Sequence, residues 1–315
     1  MKNNAVLFDD AGKPSIMVRI PKFNLSDVID GAPDDPHPAF VVGGNVVPEI
    51  WVSKYQNIIV GGAAYSLPFQ QPADNVTFDD ARRACEAKGR GWHLLTNAEW
   101  AAIALWCKKN ERLPGGNNRI GADYRNSNEK GIRFDRSGKV LTGSGPARWS
   151  HDGTPDGVYD LNGNVCEWVS GLRLMNGEIH IIPDNDAADL PDLTENSNEW
   201  KPIIVNGKSV KYTETDDGIA LTTGHSEGWN GCRYADLKSD VEVPLIAKAL
   251  CLFPEGYHGT DWFVIDTDGE RLPFRGGSWF NGANAGVFAL DLLYARSDSA
   301  HYVGFRSAFV HLESE

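Results

Sequence analysis

The sequence predicts a loop-rich α+β fold, and three observations carry that expectation. Glycine (33) and proline (17) are frequent enough in 315 residues to impose many turns and few long helices. Two segments nevertheless carry clear helix-start signals. The third is a hydrophobic content ample for a core, set among turns too frequent for a helical bundle. With 41% hydrophobic residues and ten tryptophans the chain can bury a substantial core. Its length fits one large domain or two ordinary ones of roughly 100–200 residues.

Residues 1–47 read as an N-terminal extension, marked by Pro14, Pro21, Pro33, Pro36 and Pro38, with Pro48 just beyond. Within it Ile20-Pro21-Lys22-Phe23-Asn24-Leu25 is expected to add an edge strand. An attachment segment and a simple packing arm fit this composition equally. Thr77-Phe78-Asp79-Asp80 then starts a helix whose small-residue face is Phe78, Ala81, Ala84, Cys85 and Ala87, ended by Gly89. A second helix opens with the capping box Thr96-Asn97-Ala98-Glu99 and turns Trp100, Ile103, Ala104, Leu105 and Trp106 inward. Residues 109–150, rich in Gly, Asn and Arg, are too long for a structureless connection, so short strands and ordered loops are expected.

The last forty or so residues are the most informative. Phe274-Arg275-Gly276-Gly277, Trp279 and Val303-Gly304-Phe305-Arg306-Ser307-Ala308 form a frame. Between them, beyond Val287-Phe288-Ala289-Leu290, neither a strand nor a helix period fits. In the frame, the glycines permit close backbone approach or positive φ, and the two arginines are expected to fix strand ends through backbone or carboxylate hydrogen bonds. Trp279, Phe288 and Phe305 are expected in the core.

Frame and interior together resemble the variable region of diversity-generating retroelement proteins, phage and bacterial binders in which adenine-directed reverse transcription rewrites Asn codons of a template. The resemblance places variable, ligand-binding positions at Ser278, Phe280, Asp291, Leu293, Tyr294, Asp298, Ala300, His301 and Tyr302. Rewriting both adenines of AAC reaches every amino acid except Lys, Glu, Gln, Met and Trp, and all nine residues lie in that set. Phe280, Tyr294, His301 and Tyr302 would supply rigid contact area, and Ser278, Asp291 and Asp298 polar contacts.

A wider resemblance covers about residues 50–170 and 272–310. Ile50-Trp51-Val52-Ser53-Lys54-Tyr55, Trp92-His93-Leu94-Leu95-Thr96-Asn97-Ala98-Glu99-Trp100, Asp160-Leu161-Asn162-Gly163-Asn164-Val165-Cys166-Glu167-Trp168 and Arg275-Gly276-Gly277-Ser278-Trp279 resemble the formylglycine-generating-enzyme family. It implies a C-type-lectin-like fold, two helices against twisted antiparallel strands, over residues 48–315. Residues 275–307 are then the variable region. Residues 171–270 are an insertion with strand-like Ile179-His180-Ile181-Ile182 and Ile203-Ile204-Val205, expected to decorate the fold beside the variable surface.

The same resemblance implies one calcium ion held by the Asp160 and Glu167 side chains with the Gly163 and Val165 carbonyls, an oxygen set suited to a hard cation. A tight turn at Asn162-Gly163-Asn164, with Glu167 bonded to its backbone amides, explains the motif as well. No cofactor is therefore required, and calcium is the single candidate. The family's oxidases use paired C-terminal cysteine thiolates for copper. No cysteine follows Cys251 here, and Ala285, Leu290, Leu293 and Ser307 occupy the corresponding stretch. Nor do the eight histidines show an HxxxH spacing. The expectation is a protein without catalytic residues, with a metal-dependent oxidase and a structural virion protein as alternatives.

Composition narrows the partners. A formal charge of −13 opposes the basic footprint of nucleic-acid binding. No apolar run approaches the ~20 residues of a membrane span. The five cysteines lack CxxC spacing and read as reduced, buried residues. The resemblance to diversity-generating retroelement binders implies the partner that remains, a protein or glycan on a host cell surface, with phage tail components as further candidates. The N-terminus lacks a signal-peptide core, which is compatible with the location the resemblance implies, a virion tail, or the bacterial cytoplasm before assembly.

Overall fold

The computed structural model describes residues 3–312. The chain begins with β1 (Asn4–Phe8), β2 (Pro14–Pro21) and β3 (Glu49–Ser53). Then come α1 (Phe78–Glu86), β4 (Trp92–Leu94) and α2 (Asn97–Lys109). After a long irregular stretch follow β5 (Cys166–Trp168), β6 (Leu172–Met175), β7 (Glu178–Ile181), β8 (Lys211–Thr215) and β9 (Gly218–Thr222). The C-terminal third holds β10 (Trp229–Arg233), β11 (Trp262–Asp266), β12 (Glu270–Gly276), β13 (Gly286–Tyr294), β14 (Val303–Phe305) and β15 (Ser307–Phe309).

The first sheet has five strands in the order β1-β2-β3-β15-β4, so the two ends of the described chain meet in it. The second has twelve, with β10-β11-β13-β12-β6-β7-β8-β9 along its path and β5 bonded to both β12 and β14. Most pairings are antiparallel, but β11 runs parallel to β13, setting Val264 opposite Asp291.

Both helices begin where the sequence says they should. Thr77 Oγ1 accepts the Asp80 amide at 3.1 Å, and Phe78, Ala81, Ala84 and Cys85 turn inward. Thr96 and Glu99 cap α2 reciprocally. That helix is buried nearly all round: Asn97 and Glu99 lie inside with Trp100 and Leu105, whereas Trp106 is only half-buried. The sequence's one-sided pattern underestimates this, because sheets and insertion close over both flanks.

Two expectations are corrected. The N-terminal strand covers residues 14–21 rather than 20–25, and it is interior, because β1 folds back and takes the edge. Residues 109–150 contain a 3₁₀ turn (Ala147–Trp149) and isolated bridges but no named strand. Their order comes from side-chain amides: Asn117 and Asn118 are fully buried and bond to backbone, which substitutes for a ladder.

One large core cluster joins α2 and both sheets; a second surrounds Trp168, where Phe274 packs at 4.0 Å and Phe78 at 5.8 Å. Tyr294, Ala300 and Tyr302 lean on this second cluster from outside. All five cysteines are buried and unbridged.

Candidate functional site

Two buried arginines hold the C-terminal frame. Arg306 lies at 0% exposure and its Nε and Nη2 donate to the two Glu167 oxygens at 2.5 and 2.6 Å. Its remaining donors reach the Ser53 and Tyr159 carbonyls, so one guanidinium ties together both sheets. Arg275 instead finds neutral oxygens: Asn97 Oδ1 at 3.0 and 2.7 Å, and the Leu250 and Cys251 carbonyls. Close approach explains the glycines between them. Gly277 sits at φ +74°, where a Cβ would come within 2.7 Å of Ala285 Cβ, and a Cβ on Gly304 would run into the Ala73 carbonyl.

Over this frame the structure gathers four of the predicted variable residues. Phe280 is 47% exposed and meets the Tyr302 ring edge-on at 5.4 Å. Tyr302 meets His301 at 5.2 Å, and its hydroxyl bonds to that of Tyr294 at 2.6 Å. Trp279, a frame residue expected in the core, is only half-buried and packs against Phe280 at 4.6 Å and His301 at 6.1 Å. It is the floor of the patch rather than part of the core.

The other five positions differ. Ser278 has no exposed surface: its amide and hydroxyl both bond to Asn281 Oδ1 at 2.7 Å. It shapes the turn and cannot touch a ligand in this conformation, which corrects its assignment as a contact residue. Asp298 is exposed but accepts the Ala295 amide, closing the loop after β13. Leu293 and Ala300 are half-buried. Asp291 is half-buried too, and one of its oxygens accepts the Leu293 amide at 3.0 Å. Burial pushes its carboxyl up to about 7.

Sequence reasoning missed the contribution of the insertion. Trp262 and Val264 of β11 line a cavity with Asp291, Phe274 and Asn284. Trp262 is 38% exposed and Trp229, on neighbouring β10, is 64% exposed. The signal was available in the alternation Trp262-Phe263-Val264-Ile265, which turns Phe263 and Ile265 to the core.

The candidate calcium motif has a different occupant. The carbonyls of Asp160, Gly163 and Val165 and the Glu167 Oε1 converge on one point, as a cation cage would. That point is Gln56 Nε2, which donates to them at 3.2, 3.3, 2.9 and 3.0 Å. Gln56 is fully buried, and its own oxygen accepts from Asn164 Nδ2 at 2.9 Å. The Asp160 carboxylate takes no part in the ring; it accepts the Gly143 amide, and burial pushes it up to about 6. Glu167 is already neutralised by Arg306, and neither bonds as the tight-turn reading expected. The ring itself does not fit calcium in this conformation, because the Gln56 amide fills its centre and Glu167 is paired with Arg306; only the Asp160 Oδ1, buried and without a hydrogen-bond partner, is left over beside it. Among the described residues no three His, Cys, Asp or Glu side chains form a metal-holding group. No helix among them is long and apolar enough to cross a membrane.

A search among curated proteins found no match. Among solved structures the chain is similar to PvdO from Pseudomonas aeruginosa at 15% identity, covering 98% of this chain and 99% of that one with a TM-score of 0.36. It is similar to Treponema denticola variable protein 1 at 12% identity, covering 97% and 98%, TM-score 0.38. A third likeness is to the Major Tropism Determinant U1 variant at 13% identity, covering 98% of this chain and 72% of that one, TM-score 0.36. The family model of the sulfatase-modifying factor enzyme 1-like domain matches residues 51–310, from β3 through β15, and so takes in the arginine frame and the surface above it. The chain belongs to the sulfatase-modifying factor enzyme 1-like family, with its α+β, C-type-lectin-like fold of the formylglycine-generating type.

Proposed function

We propose that the chain is a hypervariable ligand-binding protein of the diversity-generating retroelement kind. It displays rewritten side chains on a fixed scaffold, and its ligand is a protein or glycan on a host cell surface reached through a phage tail. The observation that carries this reading is the contiguous patch of Phe280, Tyr294, His301 and Tyr302, floored by half-buried Trp279 and set on a frame whose arginines are buried and hydrogen-bonded. Aromatic residues of this kind dominate binding energetics, and a rigid base keeps the ordering cost low.

The oxidase alternative gains nothing from the site. Beside the variable strand the single thiol is Cys166, and burial pushes it well above the ordinary thiol range. The test is deep sequencing of the segment encoding residues 275–307 in a natural population. Substitutions concentrated at the nine positions, with Trp279, Gly304 and Arg306 fixed, are the expected result. Uniform or frame-wide change would overturn the reading.

A further inference from the structure

The cavity beside the aromatic patch has a chemistry of its own. Its volume is about 50 Å³, against the roughly 10–15 Å³ that a single water needs. Its walls are apolar: Trp262 and Val264 from the insertion, Phe274 from β12. Asp291 supplies its carboxylate, and Asn281 and Asn284 edge it.

We propose that this cavity receives a primary ammonium group on an aliphatic stem, as a lysine side chain of a protein ligand presents it, with Asp291 as counter-ion and Trp262 as the wall along the stem. The proposal rests on the binding reading above and names the chemistry that this particular sequence recognises. Asp291 makes one hydrogen bond, through Oδ1 to the Leu293 amide, and no ion pair among the described residues. Asp291 lines the cavity, and its second oxygen makes no hydrogen bond among the described residues. A carboxylate desolvated without a counter-ion is costly, and an incoming cation removes that cost.

The indole is held ready. Gly231 on β10 lets Trp262 lie against it, since a Cβ there would come within 2.7 Å of the indole nitrogen. An aromatic face beside an ammonium adds cation–π attraction. The chain's charge of −13 favours a cationic partner at longer range. The titratable groups around Asp291 are Cys166 on β5 and Tyr294 on its own strand, both kept neutral by burial, so neither competes for the cation. β11 and β12 present only Trp262, Val264 and Phe274 to it.

The test titrates the full chain with n-butylammonium chloride at about pH 8, following tryptophan indole NH signals by NMR, with Trp262→Phe identifying the relevant one. The expected result is a saturable shift of the Trp262 signal with a dissociation constant on the order of 1–10 mM. Asp291→Asn is expected to weaken it at least tenfold, and so is lowering the pH to about 6, below the raised carboxyl pKa. n-Butanol and glucosamine should not reproduce it. Equal binding of butanol, an unaffected Asp291→Asn variant, or an equal response to glucosamine overturns the proposal. Failure here is separable from failure of the binding reading. Ammonium binding without diversity at codon 291 leaves a fixed site standing, whereas diversity at that codon without ammonium binding removes this inference alone.

Discussion

Arg306 and Tyr302 belong to one short stretch of chain and meet opposite environments. Each nitrogen of the Arg306 guanidinium donates to a buried carboxylate or carbonyl, whereas the Tyr302 side chain meets other members of the surface patch and the outside of a core cluster. The difference separates two jobs that one loop performs. Residues whose partners lie far away in sequence fix the backbone; residues whose partners are each other can change together without disturbing it.

The sharpest way to break this contrast is to remove one frame partner. Arg306→Met leaves Glu167 as an uncompensated buried charge, which is expected to cost about 3–5 kcal/mol in urea denaturation. The double variant Arg306→Met/Glu167→Gln should recover part of that loss, because the stranded charge goes with it. A loss below about 1 kcal/mol for the single variant would mean the frame is not the fixed half.

Gln56 sharpens the frame side. Truncation to Ala leaves the Asp160, Gly163 and Val165 carbonyls without their shared donor, an expected loss of about 1–3 kcal/mol. Because the amide already fills the ring, neither a chelator nor added calcium should move the wild-type Tm. A fall in Tm on chelation would show a cation at that point instead.

How much of this was legible follows from the range of each interaction. The caps at Thr77 and Thr96 bond to residues three positions on, so spacing alone reveals them. The framing glycines and arginines were legible as a pattern, though not which oxygens they reach. Gln56 and Glu167 are 111 positions apart, and no local period records such a pairing. Ser278 fails for another reason: it reads as polar and exposed, but its hydroxyl is consumed by Asn281, a partner that only the turn geometry creates. Trp279 was misplaced because its size suits a core and a binding floor equally.

Asp291 tests the variable side through pH. Its folded-state pKa of about 7 lies above the 3.8 of a free aspartate, so the folded chain binds the extra proton between those values. Stability from this group is fully present below about pH 4 and is lost as pH rises through about 7. Asp160 and Asp261, both pushed up to about 6, slope the same way. The comparison of Asp291→Asn with wild type therefore isolates one carboxyl. From about pH 5 to about pH 8 the variant should lose less stability than wild type, by about 1–2 kcal/mol after allowance for partial exposure. Parallel pH profiles would place Asp291 with freely solvated carboxylates.

The smallest expected effect is the most telling for the division of labour. Phe280 is 47% exposed and contacts Trp279 and Tyr302 only at ring edges. Phe280→Asn should leave folding stability within about 0.5 kcal/mol of wild type, as surface substitutions usually do. Ser278→Asn, a formally gentler change at another predicted variable position, should cost about 1–3 kcal/mol, because it forces a larger side chain into a buried, hydrogen-bonded turn. If the order reverses, burial does not distinguish display positions from frame positions. If it holds, the proposed diversification would be confined at position 278 to residues small enough to keep the Asn281 bond, while position 280 would tolerate a wide range of side chains.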